Sequence, residues 1–258
     1  MSGPLVIKVG GSTLGSADTT YADIAAMARA GDIPVVVHGG GAEAGRWLDR
    51  MGIPSRFERG LRVTDEEVLP VVVAVFAGLV NKQIVAAISA AGAPAVGLSG
   101  ADGGLVECTL APSGLGLVGE PVKVNAAILH ALRDAGFVPV VSPIAVVPGR
   151  ASAQLVNVNA DTVAGCLAAA VAARELVFLS DVPGVTGADG AVVRQLTAAE
   201  AKQLIADGVA TGGMVPKLEA CLAAAALGVR SRIVDGRQGG AIAALQGTSI
   251  VPDAISGR

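Results

Sequence analysis

Three charged residues occupy positions at which a charge is costly unless it has a partner. Lys8 lies inside an apolar segment, although the chain has only five lysines. Lys217 lies just inside a predicted helix start, where a positive charge opposes the helix dipole. Asp161 stands near the head of an Ala-rich helix and would hold both lysines in position. The set indicates an anion-binding site, and the alternative is two ordinary lysines that reach solvent along their alkyl stems.

Glycine-rich turns lie at several predicted junctions of strand, loop and helix. They begin at Gly10 after the first strand, at Gly39 after the second, and at Gly212 before the helix that carries Lys217. Glycine lets backbone N–H groups approach anionic oxygens, but one such turn alone is weak evidence because α/β loops often contain them. Neither G-x-x-x-x-G-K-[ST] nor G-x-G-x-x-G after the first strand is present. A nucleotide site at these turns is therefore of another kind.

Polar side chains also precede two predicted helices. Asn157, Asn159 and Asp161 alternate along the chain, so their side chains lie on one face. Three polar side chains on one face are more than a helix N-cap requires. Arg62 comes just before Thr64 and Asp65, either of which is a natural N-cap. Arg62 fits either an ordinary surface charge or a bidentate fork for a carboxylate.

The elements that position these residues alternate along the chain. Apolar β-branched runs alternate with Ala-rich segments of helical length, which predicts parallel strands joined by crossover helices. The predicted strands are residues 4–9, 34–38, 95–98, 139–142, 176–180 and 231–234, with hairpin strands around Cys108 and over 118–124. The predicted helices are residues 21–30, 42–51, 65–91, 126–135, 160–173, 198–207 and 217–227. Because ligands bind beyond the carboxyl ends of such strands, we expect the charged residues and glycine turns at one edge of the sheet.

Composition limits the class of protein. The 258 residues are 52% apolar and only 2% aromatic, with a formal net charge of −3 and no basic cluster, so we expect no nucleic-acid partner. Cys108, Cys166 and Cys221 are widely spaced, which favours reduced thiols in a cytoplasm. We expect no secretory signal, since the strand pattern begins at Pro4. We expect no membrane span, since the longest apolar run, residues 68–80, is shorter than the roughly 20 residues a bilayer requires.

Together these motifs resemble the amino-acid kinase family, and within it the branch that acts on N-acylated acidic amino acids. The matching stretches are I-K-V-G-G (7–11), V-H-G-G-G (37–41), G-L-R-V-T-D (60–65), V-N-K (80–82), V-G-L-S-G-A-D-G (96–103), N-V-N-A-D (157–161), L-S-D-V-P-G-V (179–185), G-G-M-V-P-K (212–217) and V-D-G-R (234–237). They occur in the order found in the family and cover most of the chain. The stretches at 60–65 and 157–161 are the most discriminating.

The resemblance implies a three-layer αβα sandwich with a mainly parallel central sheet of about eight strands. It implies two lobes, with residues 1–173 binding the acyl amino acid and forming a dimer, and residues 174–258 binding ATP. The implied reaction is phosphorylation of the γ-carboxylate of N-acetylglutamate by ATP with Mg²⁺, and no protein ligand for the metal is evident. Relatives inhibited by arginine carry an extra helix before the first strand. Because the strand here begins at Pro4, the resemblance favours an arginine-insensitive homodimer.

The resemblance also implies roles for individual residues. Lys8 and Lys217 would stabilise the phosphoryl group in transfer, Asp161 would orient them, and Gly10, Gly11 and Gly40 would donate N–H groups to it. The residues implied to bind the acyl amino acid are Gly40, Gly41, Arg62, Asn157 and Asn159. The residues implied to bind the nucleotide are Gly10, Asp181, Val182, Pro183, Gly184, Val185, Val209, Ala210, Thr211 and Gly213. His38 is interpreted as structural or supporting, and His130 as a surface residue.

Other functions remain open at this point. A kinase for an N-acylated α-aminoadipate, in lysine biosynthesis, differs by one methylene, which is worth only about 1–3 kcal/mol of discrimination. A catalytically silent amino-acid sensor would be expected to lack one of Lys8, Asp161 or Lys217, and all three are present. A nicotinamide-dependent oxidoreductase fits the fold class but lacks the dinucleotide fingerprint.

Overall fold

The computed structural model describes residues 3–10, 19–58, 60–112, 114–149, 153–243 and 246–253. Its strands are β1 (Leu5–Val9), β2 (Val35–His38), β3 (Phe57–Glu58), β4 (Leu61–Arg62), β5 (Ala95–Ser99), β6 (Val106–Leu110), β7 (Gly119–Val124), β8 (Val138–Ser142), β9 (Ile144–Val147), β10 (Gln154–Asn157), β11 (Glu175–Ser180), β12 (Gln195–Thr197), β13 (Ser231–Asp235) and β14 (Thr248–Val251). Its helices are α1 (Thr20–Arg29), α2 (Gly41–Met51), α3 (Val68–Val73), α4 (Asn81–Ala90), α5 (Ala127–Asp134), α6 (Ala160–Ala170), α7 (Ala198–Ala206) and α8 (Met214–Ala226). A π-helical segment, Ala74–Val80, joins α3 to α4, and Asp102–Gly104 is a 3₁₀ turn.

Eight strands form the central sheet, in the order β12-β14-β13-β11-β1-β2-β8-β5. Neighbouring strands are parallel except β13 and β14, which are antiparallel. Strands β1, β2, β8 and β11 are buried along their whole length, which is why their sequences are continuous apolar runs. The predicted mainly parallel sheet of eight strands is confirmed.

Helices cover both faces of this sheet and make the predicted three-layer sandwich. One face, which includes Val6, packs against α6 and α8. The other face, which includes Ile7 and Val36, packs against α1, α2 and the helices that follow β4. Because successive side chains of a strand point to opposite faces, Lys8 lies on the α6 face and His38 on the opposite one.

Two smaller sheets lie beside the central one. The first has four strands in the order β10-β9-β6-β7, with β6 and β7 antiparallel as expected for the hairpin around Cys108. The second is the short hairpin of β3 and β4, in which Phe57 faces Arg62. These sheets supply Arg62 and Asn157, the last residues of β4 and β10, to the candidate site.

The helix predicted over residues 65–91 forms as one continuous 23-residue unit, Val68–Ala90, which we call the long helix. Asp65 accepts hydrogen bonds from the N–H groups of Glu67 and Val68, and so it provides the cap. Within the described residues this is the one helix long and apolar enough, by length and composition, to cross a membrane. The length argument from residues 68–80 was therefore wrong, because the helix continues to Ala90. A buried core helix meets the same criterion, and the long helix packs one face against the sheet.

The limits of the remaining helices agree with those predicted from the sequence to within a few residues. The largest differences are at α8, which begins at Met214 rather than at Lys217, and at α6, which ends at Ala170. The chain turns just after α6 at Ala172, whose φ is 47°. The predicted division into lobes at residue 173 falls at this turn, although β1 and β11 on either side of it pair in one sheet.

Candidate active site

Lys8, Asp161 and Lys217 form one buried ionic group, which we call the lysine cluster. Lys8 Nζ lies 2.6 Å from Asp161 Oδ1, and Lys217 Nζ lies 3.1 Å from Asp161 Oδ2. The three side chains are at most 12% exposed. Since an unpaired charge at such depth is strongly destabilising, the shared carboxylate explains how both lysines are tolerated. The structure brings together the three residues that the sequence singled out.

The packing of two helices sets the separation of Asp161 and Lys217. Asp161 lies in the first turn of α6, where Asn159 Oδ1 accepts hydrogen bonds from two backbone N–H groups. Lys217 lies near the start of α8. The helices approach closely at Gly165, where a Cβ atom would lie 3.1 Å from the Ala220 carbonyl oxygen. A larger residue there would push α8, and Lys217 with it, away from the carboxylate.

The lysine cluster carries one net positive charge, because two ammonium groups face one carboxylate. Burial by itself would raise the pKa of Asp161, but Lys8 and Lys217 outweigh it and hold that pKa below its ordinary value. Burial lowers the pKa of Lys8; Asp161 partly offsets this, and Lys217 adds to the lowering. A bound anion would favour the charged form of Lys8. The arrangement is suited to neutralising negative charge on a ligand.

A pocket of about 150 Å³ has Ala160, the residue directly before Asp161, in its wall. Phe57 and Phe76 supply part of its apolar wall. All five residues predicted to bind the acyl amino acid line it: Gly40, Gly41, Arg62, Asn157 and Asn159. Residues that are more than 100 positions apart in sequence therefore converge on one cavity.

Arg62 forms a fixed wall of this pocket. Its guanidinium donates to the Gly41 carbonyl oxygen at 2.8 Å and to Ser55 Oγ, and its Cζ lies 4.6 Å from the centre of the Phe57 ring. The residue is 7% exposed, so its interpretation as an ordinary surface charge is wrong. Because a guanidinium has five N–H donors, these contacts leave donors for a ligand carboxylate.

Asn157, which lines the pocket, has a buried acceptor. Its Nδ2 donates to Thr64 Oγ1 at 3.1 Å, and Thr64 in turn donates to the Arg62 carbonyl oxygen at 2.9 Å. This chain fixes the amide orientation and leaves Asn157 Oδ1 buried without a protein partner in the described part of the chain. A buried acceptor of this kind is costly unless a ligand N–H group satisfies it.

The N-terminus of α2 opens toward the same pocket. Its N-cap is Gly40, and no side chain caps the helix, so the first backbone N–H groups have no intrahelical acceptor. Gly40 has φ 157° and ψ 15°, and a Cβ atom there would lie 2.9 Å from the Phe76 ring. Both the backbone conformation and the packing therefore require glycine, and the open N–H groups favour an anion.

Apart from Gly10, the residues predicted to bind the nucleotide lie in two loops. Asp181 to Val185 follow β11, and the second loop, with Val209, Ala210 and Thr211, precedes α8, whose N-cap is Gly213. No hydrogen bond joins the two loops among the described residues, since the Val185 N–H donates to Thr248 and those of Val209 and Ala210 donate to Leu204.

The side chains in these loops differ in exposure. Asp181 and Thr211 are exposed, whereas Val185 and Ala210 are buried. Pro183 also lines a separate cavity of about 410 Å³, whose other walls include Arg194 and Asp235. The proposed nucleotide contacts of both loops remain predictions.

The glycine turn after β1 requires one correction. The Gly10 N–H donates to the Leu179 carbonyl oxygen at 3.1 Å, continuing the ladder between β1 and β11. This N–H is therefore not free to bind a phosphate, contrary to the expectation for Gly10. Gly11 lies outside the described residues.

Sequence reasoning gave no role to one buried polar residue close to the site. Asn81 is completely buried in the long helix and contacts the His38 ring, which was interpreted as structural or supporting. The available signal was the dipeptide Asn81-Lys82 inside an otherwise apolar helix. Phe57, which stacks on Arg62, was also missed, because an aromatic residue in a two-residue strand leaves no sequence pattern.

Residues 3–235 match the Amino acid kinase family. The chain belongs to this family. The acetylglutamate kinase of Parasynechococcus marenigrum (strain WH8102) is 48% identical over 241 residues, which cover 90% of this chain and 82% of that protein. The acetylglutamate kinase of Dehalococcoides mccartyi (strain CBDB1) is 43% identical over 237 residues, which cover 91% and 87%. The crystal structure of smu.665 from Streptococcus mutans UA159 superposes with a TM-score of 0.84 at 28% identity, covering 96% of this chain and 98% of that one.

Membership in the amino acid kinase family agrees with the prediction made from the nine sequence stretches. The matched region, residues 3–235, contains the lysine cluster and all the residues predicted to bind the acyl amino acid. The comparison therefore covers the whole candidate active site.

Proposed function

We propose that this protein transfers the γ-phosphoryl group of ATP to the side-chain carboxylate of N-acetylglutamate, which yields N-acetylglutamyl 5-phosphate and ADP in arginine biosynthesis. The observation that carries the proposal is that Ala160, next to Asp161 of the lysine cluster, lines the same pocket as Arg62 and Asn157, whose Oδ1 has no partner among the described residues. The identity to acetylglutamate kinases over about nine-tenths of the chain supports this substrate.

The reaction requires charge neutralisation rather than a base. A γ-carboxylate has a pKa of about 4.3 and is already ionised at neutral pH. One of its oxygens attacks the γ-phosphorus, and the bond from that phosphorus to the bridging oxygen of ADP breaks. Both reactants are anions, so positioning and electrostatic stabilisation account for most of the catalysis. Lys8 and Lys217 neutralise the group in transfer, and Asp161 holds them in place.

The pocket supplies complementary groups for the rest of the substrate. Arg62 binds the α-carboxylate, and Asn157 Oδ1 accepts the N–H of the acetamido group. The open N–H groups of α2, from Gly40 and Gly41 onward, face the reacting carboxylate. Asn159 uses its oxygen to cap α6 and supports the substrate with its amide NH₂ group.

The two loops after β11 and before α8 bind the nucleotide in this proposal. Gly213 receives phosphate oxygens through its backbone N–H group. The next N–H groups of α8 are already used, because those of Met214 and Val215 donate to the Thr211 and Gly212 carbonyl oxygens. Both oxygens of Asp161 face lysines, so the cluster offers no free carboxylate to a metal ion. Mg²⁺ would therefore be held by the nucleotide phosphates and water, and it would neutralise phosphate charge.

The division of labour between lobes follows the positions of these residues. The residues of the pocket all precede residue 173, and Lys217 and both nucleotide loops follow it. We therefore propose residues 1–173 as the lobe for the acyl amino acid and residues 174–258 as the ATP lobe. The free cysteines agree with a cytoplasmic location.

We also propose a homodimer formed through the N-terminal lobe. An apolar groove lies between α2 and the long helix, lined by Trp47, Met51, Pro70, Val71, Ala74, Val75 and Leu79. Trp47 is 39% and Met51 is 58% exposed. Sedimentation velocity is expected to show a dimer that Met51→Glu dissociates and that Leu227→Glu, an equally conspicuous exposed apolar site in the other lobe, leaves intact. A monomeric wild type would refute this arrangement.

The substrate proposal is tested by measuring ADP release with ATP and Mg²⁺. N-acetylglutamate, N-acetyl-α-aminoadipate, glutamate and aspartate are compared at equal concentration, with Lys8→Ala as the control. We expect turnover with N-acetylglutamate and its loss in the variant. A preference for the longer acid would move the protein to the lysine-pathway reaction with the mechanism intact. A failure with all four acids would refute the proposal and leave a sensor as the alternative.

A further inference from the structure

A buried polar network connects the long helix to the glycine turn that follows β2. His38, the last residue of β2, is completely buried. Its Nδ1 lies 2.6 Å from the Gly39 carbonyl oxygen, and its Nε2 lies 3.1 Å from Asn81 Nδ2. Because a carbonyl only accepts and the Asn81 NH₂ group only donates, these contacts assign the proton to Nδ1 and leave Nε2 as an acceptor.

Asn81 is held in one orientation by its other contacts. Its Nδ2 lies 2.9 Å from the Val140 carbonyl oxygen and 3.3 Å from that of Leu98, while its Oδ1 accepts from Lys82 Nζ at 3.0 Å. An NH₂ group has two hydrogens, so the two shorter contacts connect β2 to β8, and the Leu98 oxygen of β5 shares one of these hydrogens. The three strands are neighbours in the central sheet.

Gly97 makes this contact possible. A Cβ atom at Gly97 would lie 1.8 Å from Asn81 Oδ1. The helix can therefore place the amide directly on the sheet only because glycine occupies this position of β5.

The π-helical segment Ala74–Val80 determines which side chains face the glycine turn. In a π-helix the hydrogen bonds run from i to i+5, so residues five apart lie above one another on one face. Phe76 and Asn81 have this spacing, and both are buried. Phe76 and Val80 pack against Gly40, where a Cβ atom would lie 2.9 Å from Phe76 and 3.3 Å from Val80. Asn81 contacts His38, which precedes Gly40 by two residues.

The His38 contact also determines where the Gly40 N–H points. The peptide between Gly39 and Gly40 is trans, as are all described peptides. In a trans peptide the C=O and N–H groups point in opposite directions. With the Gly39 oxygen directed at the His38 ring, the Gly40 N–H is directed away from it, toward the face of the sheet that carries Lys8 and α6.

We infer that His38 and Asn81 are positioning residues that, supported by the π-helical segment, fix the Gly39–Gly40 peptide so that the Gly40 N–H faces the substrate pocket. Neither side chain touches the substrate, and the inference rests on the proposed function. Burial lowers the pKa of His38 to about 4, although its bond to Gly39 opposes the shift, and Lys8 and Lys82 add to the lowering. The ring therefore stays neutral, as an acceptor for Asn81 must be, throughout the physiological range.

Two histidine variants separate the two contacts of the ring. In His38→Asn the side-chain NH₂ group occupies roughly the place of Nδ1 and keeps the bond to Gly39. In His38→Gln the amide reaches toward Asn81, and the bond to Gly39 is lost. We expect His38→Gln and Asn81→Ala to raise the KM for N-acetylglutamate about tenfold, the equivalent of one hydrogen bond. The KM for ATP is expected to stay unchanged, and His38→Asn to recover most of the affinity.

A matched control removes a hydrogen bond at the other end of the same strand. Arg133 Nε donates to the Ile33 carbonyl oxygen at 2.9 Å, just before β2 begins. Arg133→Ala is expected to lower stability and leave both KM values unchanged. Each variant is assayed at a temperature at which circular dichroism shows it to be folded. If His38→Gln and Asn81→Ala lower only the amount of folded enzyme, as Arg133→Ala does, the positioning role is refuted.

Imidazole NMR tests the same geometry without any substrate. The chain has two histidines, so a His130→Gln variant assigns both sets of signals. We expect His38 to show the Nδ1–H tautomer from pH 6 to 8, and an Nε2–H tautomer would overturn the inference. Wild-type enzyme inactive on all four acids would refute the proposed function. Wild-type turnover with unchanged KM values in both variants would refute the positioning role alone.

Discussion

Two ionic groups lie at opposite ends of the central sheet. The lysine cluster lies near the carboxyl ends of β1 and β11 and has one carboxylate between two cations. A second group, which we call the arginine cluster, lies at the amino ends of β11 and β13, where Glu175 faces Arg230 and Arg232. Their net charges are equal.

The difference between them is how completely the protein satisfies the cations. Arg232 donates to Glu175 Oε1 at 3.3 Å, to Glu175 Oε2 at 3.1 Å and to the Ile242 carbonyl oxygen at 2.8 Å. Each lysine of the other cluster has three N–H donors. Among the described residues, Lys217 donates to Asp161 Oδ2 at 3.1 Å, and Lys8 is ion-paired with Asp161 Oδ1 at 2.6 Å. An arginine whose guanidinium donates to three acceptors is suited to holding strands together. A lysine whose ammonium group has a single described acceptor is suited to binding a transient anion.

The largest expected effect separates the clusters by their response to an added anion. Glu175→Gln and Asp161→Asn each leave buried cations without a carboxylate, and each is expected to cost about 3–5 kcal/mol of unfolding free energy. Urea denaturation with and without Mg²⁺-ATP measures both variants. We expect the nucleotide to restore more stability to Asp161→Asn than to Glu175→Gln, since a phosphate can replace the missing charge only at the lysine cluster. Equal restoration would contradict the distinction.

Loss of a cation from the lysine cluster is expected to act on catalysis. Lys8→Ala should lower kcat by about 10²–10³, the usual cost of removing one donor from a developing anion. Stability should change much less than in Asp161→Asn, because the remaining lysine and the carboxylate still pair. Steady-state kinetics and thermal unfolding on the same sample decide this. A normal kcat in Lys8→Ala would show that Lys8 has a structural role, like the arginines of the arginine cluster.

The pH dependence should differ because lysine can lose its proton and arginine cannot. The pKa of Lys8 is lowered by burial from an ordinary value of 10.5. Catalysis needs the protonated form, so kcat/KM is expected to decline at a pH lower than 10.5, by about tenfold for each unit beyond that pKa. A pH–rate profile at constant ionic strength measures the decline. A profile that stays flat up to pH 10.5 would show that Lys8 does not titrate in this way.

The smallest expected effect tests whether solvent exposure limits the contribution of Arg230 to stability. Arg230 is 56% exposed at its side chain, whereas Arg232 is 6% exposed. Arg230→Ala should therefore cost less than about 1 kcal/mol of stability, as exposed ion pairs usually do. Urea denaturation provides the measurement, with Arg232→Ala as the matched change. Equal losses for the two arginines would show that burial does not set their contributions.

Much of the fold could be predicted from local patterns. Continuous apolar runs identified the central strands because strands buried on both faces allow few polar residues. The resemblance of nine short stretches then gave the eight-stranded sheet and the family. The pattern gave less reliable helix limits, as the start of α8 at Met214 shows, because the residues that begin that helix lack a side-chain cap.

The charged residues of the candidate site could be predicted from the sequence, but their geometry could not. Lys8, Asp161 and Lys217 were recognisable because a charge in an apolar setting is costly. That the Gly10 N–H is used within the sheet was not readable from sequence, since glycine turns look alike whether their N–H groups are free or bonded. The role of Asn81 was hidden for a related reason, because its partners are backbone carbonyls, which every residue type possesses.

The sequence by itself determined the order of the strands along the chain, the charged residues and the glycines at their ends. The tertiary structure decided which of these residues meet. The approach of α6 and α8 at Gly165 sets the distance between Asp161 and Lys217, and the π-helical segment decides that Phe76 and Asn81 face the glycine turn together. Long-range packing makes these choices, because the contacts that bring distant segments together depend on the shapes of both partners and not on either segment alone.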